Sequence, residues 1–179
     1  MKKYTGNNNL NDIFYEIVNI LLLDDSQDSI DLKKLLYYGN ETDKDGNIIY
    51  VNPYAKEEVY EDLYNENIFQ YDYLFDVQND SRNIINIHIA GGDINRDNYC
   101  IEDNYFMIDI YVHKSMEAID INNKRISRSI EILNKIRKLL DGRQLKIGLN
   151  NLELQGFDCG KVQNRYLKTT CTFKIMNIR

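Results

Sequence analysis

Apolar side chains recur along this chain with two periods, and the change from one to the other divides it into helical and sheet-forming parts. Between Ile13 and Leu23 the positions Ile13, Phe14, Ile17, Ile20 and Leu21 follow helical spacing. Asn11 or Asp12 stands where a cap is needed, and the acidic run Asp24-Asp25-Ser26 ends the segment. A second, shorter helix is predicted from Ile30 to Tyr38, capped by Asp28 or Ser29 and stopped by Gly39. Residues 40–53 read as a turn-rich loop or hairpin around Gly46-Asn47. Pro53 suits the first turn of another helix, where its missing N–H costs nothing. Glu57, Glu58 and Glu61 would then lie near that helix's positive end.

The period then falls to two. Asn83 to Ala90 alternates Ile85, Ile87 and Ile89 with Asn86, His88 and Ala90. Asp103 to His113 places Phe106, Ile108, Ile110 and Val112 on one side and Tyr105, Met107, Asp109, Tyr111 and His113 on the other. Both patterns predict strands with one strongly apolar face. Gly91-Gly92-Asp93 opens the segment 91–102, expected as a long polar projection. A long helix is predicted from Asn123 to Leu140, with Ile126, Ile130, Leu133, Ile136 and Leu140 buried and Ile132 and Leu139 widening the stripe. Lys124, Arg128, Glu131, Lys135 and Lys138 fall on its opposite side, and Asp141-Gly142 ends it. Leu145 to Leu149 reads as a short strand, and Arg165 to Met176 as a strand pairing with 103–113. The expected fold is α+β, a mostly antiparallel sheet of about four strands packed against two principal helices. Residues 1–9 are expected to be a flexible arm and 10–179 a single domain with a variable, aromatic-rich middle segment, 30–76.

Composition sharpens this. A chain of 179 residues suits one core, and 43% hydrophobic with 28% charged residues excludes a largely disordered chain. No run approaches the roughly 20 apolar residues of a membrane span, and the N-terminus does not read as a secretory signal. Cys100, Cys159 and Cys171 are odd in number and widely spaced, unlike a disulfide framework or a zinc site; Cys171 is expected as a buried thiol. The net charge of −6 hides a division. Met1 to Asp109 holds 22 acidic and 8 basic residues, whereas Ile110 to the C-terminus holds 6 acidic and 14 basic ones. A fold can interleave the two halves, so these need not be two faces; a bipolar layout would suit head-to-side association, and ordinary surface solvation is the equal alternative.

Chemical motifs are few. Asp43-Lys44-Asp45-Gly46-Asn47 starts like a calcium loop, but Ile48 stands where glycine is needed and Tyr54 where a bidentate glutamate is needed. His88, His113 and Asp109 share a strand face and could form a two-histidine, one-carboxylate metal site of an enzyme. No nucleophile arrangement accompanies them. Gly91-Gly92 lacks the context of a phosphate loop. Asp103 and Asp109 lie six apart on one strand and do not make a compact nuclease pair. Lys124, Arg128, Lys135 and Lys138 form the one candidate nucleic-acid footprint, without interleaved aromatics, and a solvated helix face is the simpler reading.

Four stretches carry a family likeness. They are Leu10-Asn11-Asp12-Ile13-Phe14-Tyr15-Glu16, the strand Tyr105 to His113, the helix Arg125 to Leu140, and the closing strand Arg165 to Met176. In that order, over residues 10–23 and 80–176, they resemble the tail terminator and related neck or tail-completion proteins of long-tailed bacteriophages. The resemblance implies a non-enzymatic virion protein without cofactor, forming a homo-hexameric ring on a finished tail. Its partners would be further copies of itself, the tail tube protein, a head-side connector or stopper and, in a contractile tail, the sheath. It would act in the host cytoplasm during assembly, with no membrane and no specific nucleic acid as partner. Charge and position single out Lys124, Arg128, Lys135, Lys138, Arg143, Lys146, Asp93 and Arg96 as candidate contacts between subunits or with a partner.

Overall fold

The computed structural model describes residues 10–70, 81–94, 101–146, 151–163 and 165–178. The expected arm, 1–9, lies outside the described residues, as do Tyr71, Tyr73 and Phe75 of the aromatic segment. Three helices, α1 (Leu10–Leu23), α2 (Gln27–Tyr37) and α3 (Arg128–Leu140), cover one face of a five-stranded sheet. The sheet contains β3 (Ile68–Phe69), β4 (Asn83–Ile94), β5 (Ile101–His113), β8 (Glu153–Gln163) and β9 (Tyr166–Ile178), in the order β3-β4-β5-β9-β8. Two small hairpins lie beside it, β1 (Glu41–Thr42) with β2 (Ile48–Ile49), and β6 (Ala118–Ile121) with β7 (Lys124–Ser127). The class is α+β, as the periodicities predict, and among the described residues the main sheet has five strands where about four are expected.

Register builds the core. Ile108 lies opposite Ile87 on β4 and Cys171 on β9, and Ile110 lies opposite Ile85 and Thr169. Alternate positions of three adjacent strands therefore stack on one face, where most cross-strand pairs are apolar and Thr169 is a buried polar member. Phe106, Ile108, Ile110 and Val112 are fully buried, as their alternation predicts. Phe14 on α1 meets Phe106 edge to face at 5.4 Å, fixing the first helix over the sheet centre. Burial pushes the Cys171 thiol up to about 12, so it packs as an inert apolar group.

Five expectations need correction. Helix α2 starts three residues early, because Ser26 rather than Asp28 or Ser29 caps it and accepts from the Ser29 N–H at 3.4 Å. The helix expected from Pro53 is a single 3-10 turn, Pro53–Ala55. Glu57 with Glu61 and Glu58 with Asp62 would set like charges four apart on a helix, which opposes its continuation. Strand β4 continues through Gly91–Ile94 after a bulge between Ile89 and Gly91, so this part of the expected projection is paired with β5. Residues 95–100 lie outside the described residues.

The long helix begins at Arg128, not Asn123. Asn122 and Asn123 both adopt left-handed φ values, +53° and +60°, and close the tight β6–β7 hairpin instead. Ser127 then caps α3 by accepting from Ile130 N–H at 3.3 Å. This start turns the helix so that Ile132, Leu133, Ile136, Leu139 and Leu140 are buried, whereas Ile130 is 38% exposed. Gly142, at φ +76°, turns the chain out of α3. The fifth correction concerns 145–149. Gln144 makes one isolated bridge to Asn151, residues 147–150 are not described, and the sheet position belongs to β8. Gly156 and Gly160 interrupt the alternation of β8, and its pairing with β9 shifts register twice.

The corrected helix face is testable by urea denaturation. Ile136→Ala should cost about 2–5 kcal/mol, as expected for a buried isoleucine. Ile130→Ala should stay within about 0.5 kcal/mol, as for a surface change. Equal midpoint shifts would show that the face is misassigned.

Candidate functional site

The candidate contacts with the strongest sequence signal, Arg128 and Lys135, prove to be interior residues. Arg128 is fully buried at the start of α3, where α2 ends against the sheet. Its Nε donates to the Met116 carbonyl at 2.7 Å, and its Nη1 donates to the Leu35 carbonyl at 2.8 Å and the Tyr38 carbonyl at 2.5 Å. The last carbonyls of a helix have no partner within it and carry its negative end. Here a guanidinium supplies the donors. Asn83 on β4 adds bonds to the Leu35 and Leu36 carbonyls at 3.2 and 3.3 Å. Burial lowers the Arg128 pKa to about 10, which still leaves it charged at neutral pH.

One helical turn pair further on, Lys135 is also buried and donates to Asp28 Oδ1 at 2.8 Å and Asp31 Oδ2 at 2.6 Å on α2. Burial disfavours its ammonium, but the bonds and charges of Asp28 and Asp31 outweigh that and raise its pKa. Lys138 lies 3.7 Å from Asp28, and Arg143 lies 3.0 Å from Asp24. Lys146 is exposed, and its backbone N–H donates to Glu16 Oε1 at 2.7 Å. Lys124 is exposed beside the turn of the β6–β7 hairpin. Asp93 is exposed near the far end of β4, and Arg96 lies outside the described residues. The acidic first half and basic second half of the chain thus meet along the α2–α3 seam of one subunit. The nucleic-acid footprint loses Arg128 and Lys135 to this seam.

The histidines are not brought together. His88 lies opposite Met107, six residues along β5 from His113. Six strand residues span about 20 Å, too far for one metal ion to hold both side chains. His113 packs edge-on against Tyr166 at 5.2 Å and accepts from Ser115 N–H. Burial, then the charges of Arg165 and Lys114, lowers its pKa. Asp109 is buried on the sheet face away from the helices, where Lys168 lies 2.7 Å from it, Thr170 donates at 2.5 Å, and His88 is 3.9 Å away. Asp43 uses its carboxylate on its own turn, accepting from the N–H groups of Asp45 at 2.9 Å and Asn47 at 2.7 Å.

One outward-facing region is apolar and acidic. A cleft of about 350 Å³ opens between the C-terminal half of α1 and the segment 59–64. Val18, Leu22, Val59 and Leu63 are its buried apolar lining, and Leu23 and Tyr60 stand at its mouth, 72% and 85% exposed. Glu61 and Asp62 line it together with one cation, Lys33, and Glu57 and Glu58 lie exposed just before it. On the β8 edge of the sheet Phe157 is 57% exposed, with the Arg137 guanidinium 5.9 Å from its ring centre. Of these four exposed groups only Tyr60 carries a sequence signal, as part of the aromatic-rich middle segment. Leu23 reads as the end of a helix stripe, Tyr60 as part of a helix that does not form, and Phe157 and Arg137 come together only through the pairing of β8 with β9.

The profile of the YomW family matches residues 29–175, and the chain belongs to that family, a phage-derived one of the SPbeta-like prophage kind. No curated protein matches the chain.

Two measurements test the seam. Arg128→Met should cost about 3–5 kcal/mol, because it removes a buried cation and leaves three carbonyls short of donors. Arg128→Lys should recover only part of this, since one ammonium cannot span the same acceptors. An unchanged melting temperature in Arg128→Met would contradict the assignment. The second test is acid. The Lys135 hydrogen bond, against the opposing effect of burial, holds the Asp28 pKa below its ordinary 3.8. A depressed carboxylate contributes stability above its unfolded pKa and loses it as pH falls through the folded value. Stability should therefore fall from about pH 5 downward, and Lys135→Met should flatten that part of the curve.

Proposed function

Starting from membership of a phage-derived family, we propose that this chain is a structural subunit of a phage tail terminator or neck ring. In this reading it caps the tail tube and joins it to the head-side connector. The observation that carries the reading is a pair of exposed apolar sites on different elements. Leu23 and Tyr60 stand at the mouth of the cleft beside α1, and Phe157 lies on the β8 edge of the sheet. Large exposed apolar groups at two such places offer contact surfaces, and two different surfaces on one subunit are what a ring requires. The order of elements, a leading helix, paired long strands, a helix and a closing strand, supports the same role.

The subunit then works by geometry rather than by turnover. One ring face would rest on the tail tube protein and the other would present a surface to the connector or stopper, with six copies of the chain closing the ring. In a contractile tail the sheath would be a further neighbour. The protein would be found in the virion, at the neck or tail end, after assembling in the host cytoplasm. The β4–β5 hairpin, with Ile89 and Ile94 exposed, extends beyond the apolar core and suits a contact with the tube or the connector.

The direct test is to disrupt the gene in a phage that encodes it and to image the lysate. Filled heads without attached tails, with tubes whose lengths are no longer uniform, are the expected result. A normal yield of joined, infectious particles would overturn the reading.

A further inference from the structure

We propose that the acidic cleft beside α1 receives the side chains of Phe157 and Arg137 from a second copy of this chain, joining subunits head to tail. The inference rests on the ring reading above for its biological meaning and on the two surfaces for its chemistry. The cleft has an apolar floor, Val18, Leu22, Val59 and Leu63, which asks for an apolar insert. Glu61 and Asp62 line the cleft and Glu57 and Glu58 just precede it, all four exposed, with Lys33 the one cation of the lining. They ask for a cation beside that insert. Phe157 with Arg137 offers both: an exposed aromatic ring with a guanidinium held near its face. Aromatic rings and arginine are the groups most enriched at protein interfaces, and the rim charges would set partner and register.

Position agrees with chemistry. The cleft lies between α1 and the segment 59–64, and Phe157 stands on the β8 edge of the five-stranded sheet, outside the cleft lining. Since Phe157 does not line the cleft of its own subunit, the insert is that of a neighbour. Each copy would give one insert and receive one, so the contact joins two different patches and can propagate until a ring closes. Strand addition at the β8 edge is the less suitable contact. Its register shifts between Leu154 and Gly156, and between Asp158 and Lys161, and such irregularities guard an edge against pairing. A single inserted ring buries little area, so association between free subunits is weak and strengthens only when a template aligns several copies.

The test is sedimentation of the full chain at concentrations up to about 1 mM, where weak association registers. The wild-type chain should associate at low salt and dissociate as salt screens the rim charges. Phe157→Asp and Leu23→Lys, each checked for a native circular dichroism spectrum, should each weaken association about tenfold or more. If Phe157→Asp disturbs β8, Arg137→Glu replaces it as the insert variant. Mixing an insert variant with Leu23→Lys should restore dimers but nothing larger, because one intact insert then meets one intact cleft. A wild-type chain that stays monomeric at every concentration and salt overturns the proposal. So does association that neither variant weakens, or a mixture that yields no dimers. Association lost on deleting residues 1–9 yet insensitive to Phe157→Asp would make that segment the occupant, and would overturn the proposal too. None of these results bears on whether the protein sits in the virion. Failure here with the gene-disruption phenotype intact would leave a ring subunit joined by a different contact.

Discussion

Two buried cations on α3 hold this fold in register. An arginine and a lysine taken out of water are tolerated only where donors and charge are matched. Each is matched by α2. Arg128 takes the carbonyls at the end of that helix and Lys135 takes the carboxylates near its start. The two helices must therefore run antiparallel with one offset, because sliding either by a turn would bury an unpaired charge. Asn83 reaches the same carbonyls from β4, so the sheet is tied to the same point. Around this polar anchor the apolar residues of α1, α3 and the three central strands supply the bulk of the stabilising burial.

The same constraint shapes the outside. The division between an acidic first half and a basic second half of the sequence suggests a subunit with two charged faces. In the folded chain much of the basic half is drawn onto the acidic half instead: Lys135 and Lys138 onto Asp28, Arg143 onto Asp24, Lys168 onto Asp109 and Lys174 onto Asp103. Acids in 57–62 have far less of this compensation, and they border apolar residues of α1. A surface of that kind is set by what the interior consumes, not by the charge total of either half.

Much of the fold could be read from periodicity, and the exceptions have physical causes. Strands β5 and β9 show unbroken alternation, and both pair as that alternation predicts, because every second residue is committed to one buried face. The start of α3 was hidden by Asn122-Asn123. A pair of asparagines suits a tight turn as readily as a helix start, and moving the start to Arg128 rotated the buried stripe away from Ile130. Strand β8 was hidden because Gly156 and Gly160 erase its period. Arg128 and Lys135 look outward in the sequence because charge ordinarily marks the wet face of a helix. Only their partners on α2, about a hundred residues away in sequence, reveal them as interior. The cleft and the Phe157–Arg137 pair depend on tertiary placement in the same way, so no local pattern announces them.

Along the α2–α3 seam the charges of the two halves are satisfied within one subunit. A double-mutant cycle between Lys135→Met and Asp31→Asn, followed by urea denaturation, measures this most directly. The predicted result is a coupling energy of about 1–3 kcal/mol, as for groups sharing a buried ion-pair network. Additive effects, with a coupling near zero, would contradict it and return Lys135 to the surface as a residue awaiting a partner.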